Sequence, residues 1–116
     1  MSVHSTTAAV AAREIYQLFR DVALQQRTLT MDRGPRWVEV DTGVVRVCID
    51  AHRVTLFKDA GELHHCLGCE LDDGRFVGQE AWDSPGTDPL ELLSVWERAQ
   101  LLAALEQLPS PDDSRG

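Results

Sequence analysis

The densest chemistry in the chain is the run Leu63-His64-His65-Cys66-Leu67-Gly68-Cys69-Glu70. Thiolate and imidazole are good zinc ligands, and a Cys-x-x-Cys knuckle presents two sulfurs to one tetrahedral ion. Gly68 can supply the unusual backbone angle that such a knuckle needs. Cys66 and Cys69 would be two ligands, His64 or His65 a third, and Cys48 or His52 the fourth. Two features oppose this. Zinc signatures usually carry two paired halves, and here there is one Cys-x-x-Cys. In a regular strand, His64 and Cys66 would face one side while His65 and Cys69 faced the other. The cysteines then read as small buried apolar residues.

Thiol chemistry is a weaker reading. A redox Cys-x-x-Cys sits at a helix start, where the dipole lowers the thiol pKa. This one lies in a strand-rich segment beside Glu70 and Asp72, which would raise it. A nucleophilic Cys66 activated by His64 or His65 needs an orienting group, and none is evident. No phosphate-cradling glycine motif, His-Glu-x-x-His or Gly-x-Ser-x-Gly occurs.

The elements that must position these residues follow from periodicity. Residues 6–27 read as a helix with Thr6 or Thr7 as N-cap. Ala8, Ala11, Ile15, Leu18, Phe19 and Val22 form its apolar stripe. Residues 28–36, with Thr30, Asp32, Gly34 and Pro35, read as a loop. Strands are expected at 37–40, 44–49, 54–57, 63–71 and 75–82, the first of them a short extra candidate. Asp72-Asp73-Gly74 signals a hairpin. Short connections imply an antiparallel meander. After a loop at 83–87, Asp88-Pro89-Leu90-Glu91 reads as a helix start, with the helix running to about 108. Residues 109–116 read as a tail.

The expectation is one two-layer α+β domain, a meander of about four strands flanked by an N-terminal and a C-terminal helix. Its ordered core would span about 6–108 of the 116 residues. That length suffices for a hydrophobic core without disulfides.

Charge narrows the function classes. The net charge is −8. Residues 1–36 carry +2, residues 37–88 carry −7 and residues 89–116 carry −3. A surface of this sign repels phosphate backbones, so direct nucleic-acid binding is disfavoured. It suits a basic partner, or simply solubility. No membrane span or signal peptide is visible, and three cysteines, an odd number, fit reduced thiols in a cytoplasmic protein.

In the last helix, Leu92, Val95, Trp96, Ala99, Leu102 and Ala103 form one stripe. Leu90, Leu101, Leu105 and Leu108 lie nearly opposite. One stripe can pack on the sheet, and the other needs the first helix, a second copy of the chain or a different partner. We expect the four leucines to meet a protein partner or a second copy, with cover by the first helix as the competing explanation. Trp37 and Trp82 are core candidates beside loops that can also serve as binding anchors.

Three segments carry a resemblance: Ala12-Arg13-Glu14-Ile15-Tyr16, Gly86-Thr87-Asp88-Pro89-Leu90-Glu91-Leu92-Leu93 with Trp96, and Cys66-x-x-Cys69 followed by Asp73-Gly74. The chain resembles a family of small uncharacterised pseudomonad proteins. The resemblance implies no activity, cofactor or catalytic residue.

The first reading is a non-enzymatic protein-interaction or regulatory domain. One version is an inhibitor whose carboxylates imitate phosphates toward a basic or nucleic-acid-binding protein. The second reading is a zinc-stabilised domain using Cys66, Cys69, His64 and Cys48. A thiol-dependent enzyme is the third.

Overall fold

The computed structural model describes residues 3–78 and 88–108, with side chains from Ala12 onward. Two helices, α1 (Val3–Ala23) and α2 (Val95–Glu106), lie with one five-stranded sheet. The strands are β1 (Leu29–Arg33), β2 (Gly43–Ile49), β3 (His52–Asp59), β4 (Glu62–Glu70) and β5 (Phe76–Gly78). They pair antiparallel in chain order. This is the expected α+β meander with one more strand than four.

The extra strand is not where the sequence placed it. Trp37–Glu39 is a 3₁₀ turn, in which the Glu39 carboxylate accepts the Arg36 N–H at 2.8 Å. Trp37 is buried. The fifth strand is β1, drawn from the segment that reads as a loop. Its Thr30 and Asp32 are turn formers, but β2 supplies a ladder from Leu29↔Ile49 to Arg33↔Arg46, with Asp32 as a bulge. Helix α1 begins at Val3, so Thr6 and Thr7 lie within it. It stops at Ala23, four residues early, because Gln25 turns left-handed at φ 62°. Beyond it, Asp50 accepts from Arg27 and from the Thr28 N–H, which joins the helix exit to the β2–β3 turn.

Residues 79–82 of the last expected strand, with Trp82, lie outside the described residues, as do 83–87 and 109–116. The β3–β4 turn is Ala60-Gly61, both at positive φ (50° and 83°), which the tight hairpin requires.

Alternation puts one sheet face against the helices. Val45, Val47 and Ile49 of β2 and Val54 and Leu56 of β3 are buried with Ile15, Leu18, Phe19 and Val22 of α1. Lys58 shares this inner face and is buried. Its Nζ donates to the Trp37 carbonyl at 2.6 Å and stands 4.7 Å from that ring's centroid. A carbonyl and an aromatic face thus replace the water around the ammonium.

Helix α2 is shorter than expected. Its cap is Ser94, whose hydroxyl accepts the Glu97 N–H, while the Glu97 carboxylate accepts the Ser94 N–H. Asp88 and Pro89 are instead part of a buried non-helical segment that leads into α2. Arg98 donates to the Leu90 and Leu63 carbonyls and ties α2 to β4. Arg20 pairs with Glu97 at 3.1 Å and ties it to α1.

Candidate functional site

Strand β4 explains what happens to the Cys-His run. Its register slips twice against β3, so Leu67 and His64 are each extra residues. Leu63, Cys66 and Cys69 therefore stand opposite Lys58, Leu56 and Val54, all on the core face. The strict alternation expected from the sequence would have split the two cysteines, and the bulges put both inside. His65 is opposite Phe57 on the outer face. The two imidazoles touch through their Nδ1 atoms at 2.5 Å, and His65 lies over Phe57 with centroids 5.2 Å apart. Cys48 is on the outer face of β2, and the His52 Nδ1 accepts the Asp72 N–H at 3.1 Å.

The expected zinc set of Cys66, Cys69, His64 and Cys48 is thus dispersed over two faces of the sheet. Among the described residues, no group of three or more His, Cys, Asp or Glu is placed to share an ion.

The thiols are also held in their protonated form, which is not the nucleophilic one. Burial pushes Cys66 well above its ordinary value, and the Asp88 charge adds to this. Burial, with Glu14 and Glu70 adding, pushes Cys69 up to about 12. Cys48 is raised by burial and by Asp32. Such groups link fold to alkali. An unfolded thiol ionises near 9 while the folded Cys69 keeps its proton to about 12. Stability is therefore full below pH 9 and falls as pH rises, by about 1.4 kcal/mol per pH unit for one such thiol. Chemical denaturation at pH 9, 10 and 11 should show this fall, and Cys69→Ala should flatten it by about that slope.

Asp88 is the one buried carboxylate on the described chain. Its oxygens accept the Cys66 N–H at 3.1 Å and the Leu90 N–H at 2.8 Å. It pins the segment before α2 to the bulged part of β4. Burial raises its pKa, and the two N–H donors pull the other way.

The packing of the last segment inverts the sequence expectation. Leu90, Leu101, Leu105 and Leu108 are all buried in the core. They are not a free stripe for a partner. The opposite side is bare: Val95 is 89% exposed, Trp96 55% and Leu92 40%. Both stripes are apolar, so periodicity alone could not choose between them. Two signals could have. The buried stripe is all leucine, whereas the other includes Ala99 and Ala103. Ser94-x-x-Glu97 was legible as a capping box, and a helix starting there frees Leu90 to turn inward.

The exposed residues adjoin α1. Leu92 lines a cleft of about 330 Å³ with Arg13, Tyr16 and Gln17. The Arg20–Glu97 pair bridges the two helices. Leu92, Val95 and Trp96 are thus exposed apolar side chains near the start of α2, and Leu92 opens onto a mixed polar and aromatic cleft on α1. That composition is typical of a protein-binding patch.

Among the described residues, most acids of the central segment lie at the ends of the sheet, and Glu70 stands on its outer face. Asp50, Asp72 and Asp73 lie in turns at one end, and Asp59 and Glu62 flank the turn at the other. Among the described residues no helix is long and apolar enough to cross a membrane. The family model described as Domain of unknown function (DUF7693) matches residues 9–107. No curated protein and no solved structure matches the chain.

Proposed function

The chain belongs to the DUF7693 family of domains of unknown function, and from that premise we propose that it is a non-enzymatic, cytoplasmic protein-interaction domain that docks a partner protein on the Trp96 surface. The observation that carries this is the exposure of Val95, Trp96 and Leu92, the last of them beside Tyr16 and Arg13. Tryptophan is the residue type most often central to binding energy, and here it is more than half in water. A regulatory role fits the same features. The raised thiols offer no thiolate near neutral pH, and reduced cysteines suit a cytoplasmic setting. The version in which carboxylates imitate phosphates draws less support, because most of the described acids of the central segment sit at turns and on the open sheet face arginines outnumber carboxylates in the cleft.

The test compares wild type with Trp96→Glu as bait in the native host. A photo-crosslinker at Leu92 reports contact, and one at Glu62 serves as control. Because Trp96 is a surface residue, the variant should melt within about 0.5 kcal/mol of wild type. A partner crosslinked from Leu92, not from Glu62, should bind the variant at least tenfold more weakly. If the same proteins bind both baits equally, or if Trp96→Glu unfolds the chain, the reading is wrong.

A further inference from the structure

On the sheet's outer face, away from Trp96, Arg33 and Arg46 are direct cross-strand partners on β1 and β2. Like charges placed opposite each other are unfavourable. Among the described residues, neither guanidinium has a hydrogen-bond or ion-pair partner. Both line an open cleft of about 430 Å³ with Asp32, Arg53, Thr55, Glu70 and Phe76. That volume lies within the range of small-molecule sites. Arg46 is in register with Thr55, and Thr55 with Gly68. At the far end, Phe76 is 68% exposed, with its ring over Gly68. A Cβ at Gly68 would stand 2.9 Å from the Phe76 Cζ. Only glycine lets that ring lie on the strand.

The geometry points to a binding site for a nucleoside monophosphate, a planar ring joined to one phosphate. Two guanidinium forks side by side suit a phosphate, which each can grip through two N–H donors. Thr55 adds a hydroxyl between the two ends. From Arg46 to Gly68 is two strand spacings, roughly 9–10 Å, which is the reach from a phosphate to its base. Phe76 then meets the base as a stacking partner. Asp32 and Glu70 can accept from ribose hydroxyls or base amines. With three arginines against two carboxylates the cleft carries +1 on a chain of −8. That balance tolerates one phosphate and opposes a long polyanion.

The probe is AMP, titrated by NMR and calorimetry into the full chain, with inorganic phosphate, benzoate and a decameric oligouridylate as separate arms. AMP should shift the amides of Arg46, Thr55 and Phe76. Arg33→Gln and Arg46→Gln should each weaken AMP at least tenfold, while the melting temperature holds or rises because the like-charge contact is gone. Phe76→Ala should weaken AMP and leave inorganic phosphate unchanged. The proposal is overturned if millimolar AMP leaves those amides unmoved, or if the arginine variants bind it as wild type does. Benzoate binding more tightly than AMP would replace the phosphate with a carboxylate and sink the assignment. The decamer binding more tightly than AMP would sink it too, in favour of a polymer surface.

Discussion

A chain carrying Leu101→Glu and Leu105→Glu is expected to be unfolded at room temperature. Both leucines have essentially no contact with solvent. They are part of the cluster that joins α2 to α1 and the sheet. Truncating one buried leucine to alanine costs about 2–5 kcal/mol. Placing a carboxylate there adds the cost of a buried, unpaired charge. Two such changes match or exceed the roughly 5–15 kcal/mol by which a domain of this size is stable. Circular dichroism and light scattering read the result together. The variant should lose helix and sheet signal, whereas Trp96→Glu on the opposite side of the same helix should keep both. Retention of the fold by the double variant would restore the leucines as an external surface.

Asp88→Ala should be the most costly single change to a polar side chain. It leaves two buried N–H groups, of Cys66 and Leu90, without an acceptor. Hydrogen bonds to a charged group contribute about 1.5–3 kcal/mol each. A net loss of about 3 kcal/mol lowers the melting temperature by roughly 12 °C, at about 4 °C per kcal/mol for a chain of this length. Asp88→Asn keeps one oxygen acceptor and should fall between alanine and wild type.

The two variants also separate by pH. The folded Asp88 carboxyl is raised above 3.8, its ordinary value. The folded state therefore holds that proton to higher pH than the unfolded state does. Across that window ionisation costs the fold stability as pH rises. Asparagine has no proton to lose, so its deficit against wild type should shrink from pH 4 to pH 7. A deficit that grows instead would show that the two N–H donors outweigh burial. Asp21, Glu39, Asp73 and Glu97 run the other way. Their pKa values are lowered, so what they contribute is lost as pH falls through the acid range.

The layout of the sheet was legible because its signals are local. Asp72-Asp73-Gly74 and Ala60-Gly61 mark turns by residue type, and β-branched runs such as Val44-Val45-Arg46-Val47 mark strands. Strand β1 was not legible. Leu29-Thr30-Met31-Asp32-Arg33 carries Asp32 and runs straight into Gly34-Pro35, which reads as a loop, and only pairing with β2 makes it a strand. The facing of Cys66 and Cys69 was hidden for a related reason. A bulge is a fact about two strands in register, and period-two alternation assumes there is none. Helix α2 failed at a different point. Its two apolar stripes are equivalent on a helical wheel, and the choice depends on a non-helical turn at Asp88 whose anchor is 22 residues upstream, at Cys66.

Lys58 is the only lysine among the chain's eleven basic residues. Its amine is lodged between the Trp37 ring and the Trp37 carbonyl. The protein therefore shows the outside world almost no lysine chemistry. Reagents and enzymes directed at a lysine ε-amine reach Lys58 only once the Trp37 turn has lifted off the sheet. Its surface cations are guanidinium groups, which keep their charge under the treatments that erase lysine's. Acylation read at the Lys58 ε-amine becomes a clock for opening of the core, with one residue as its reporter.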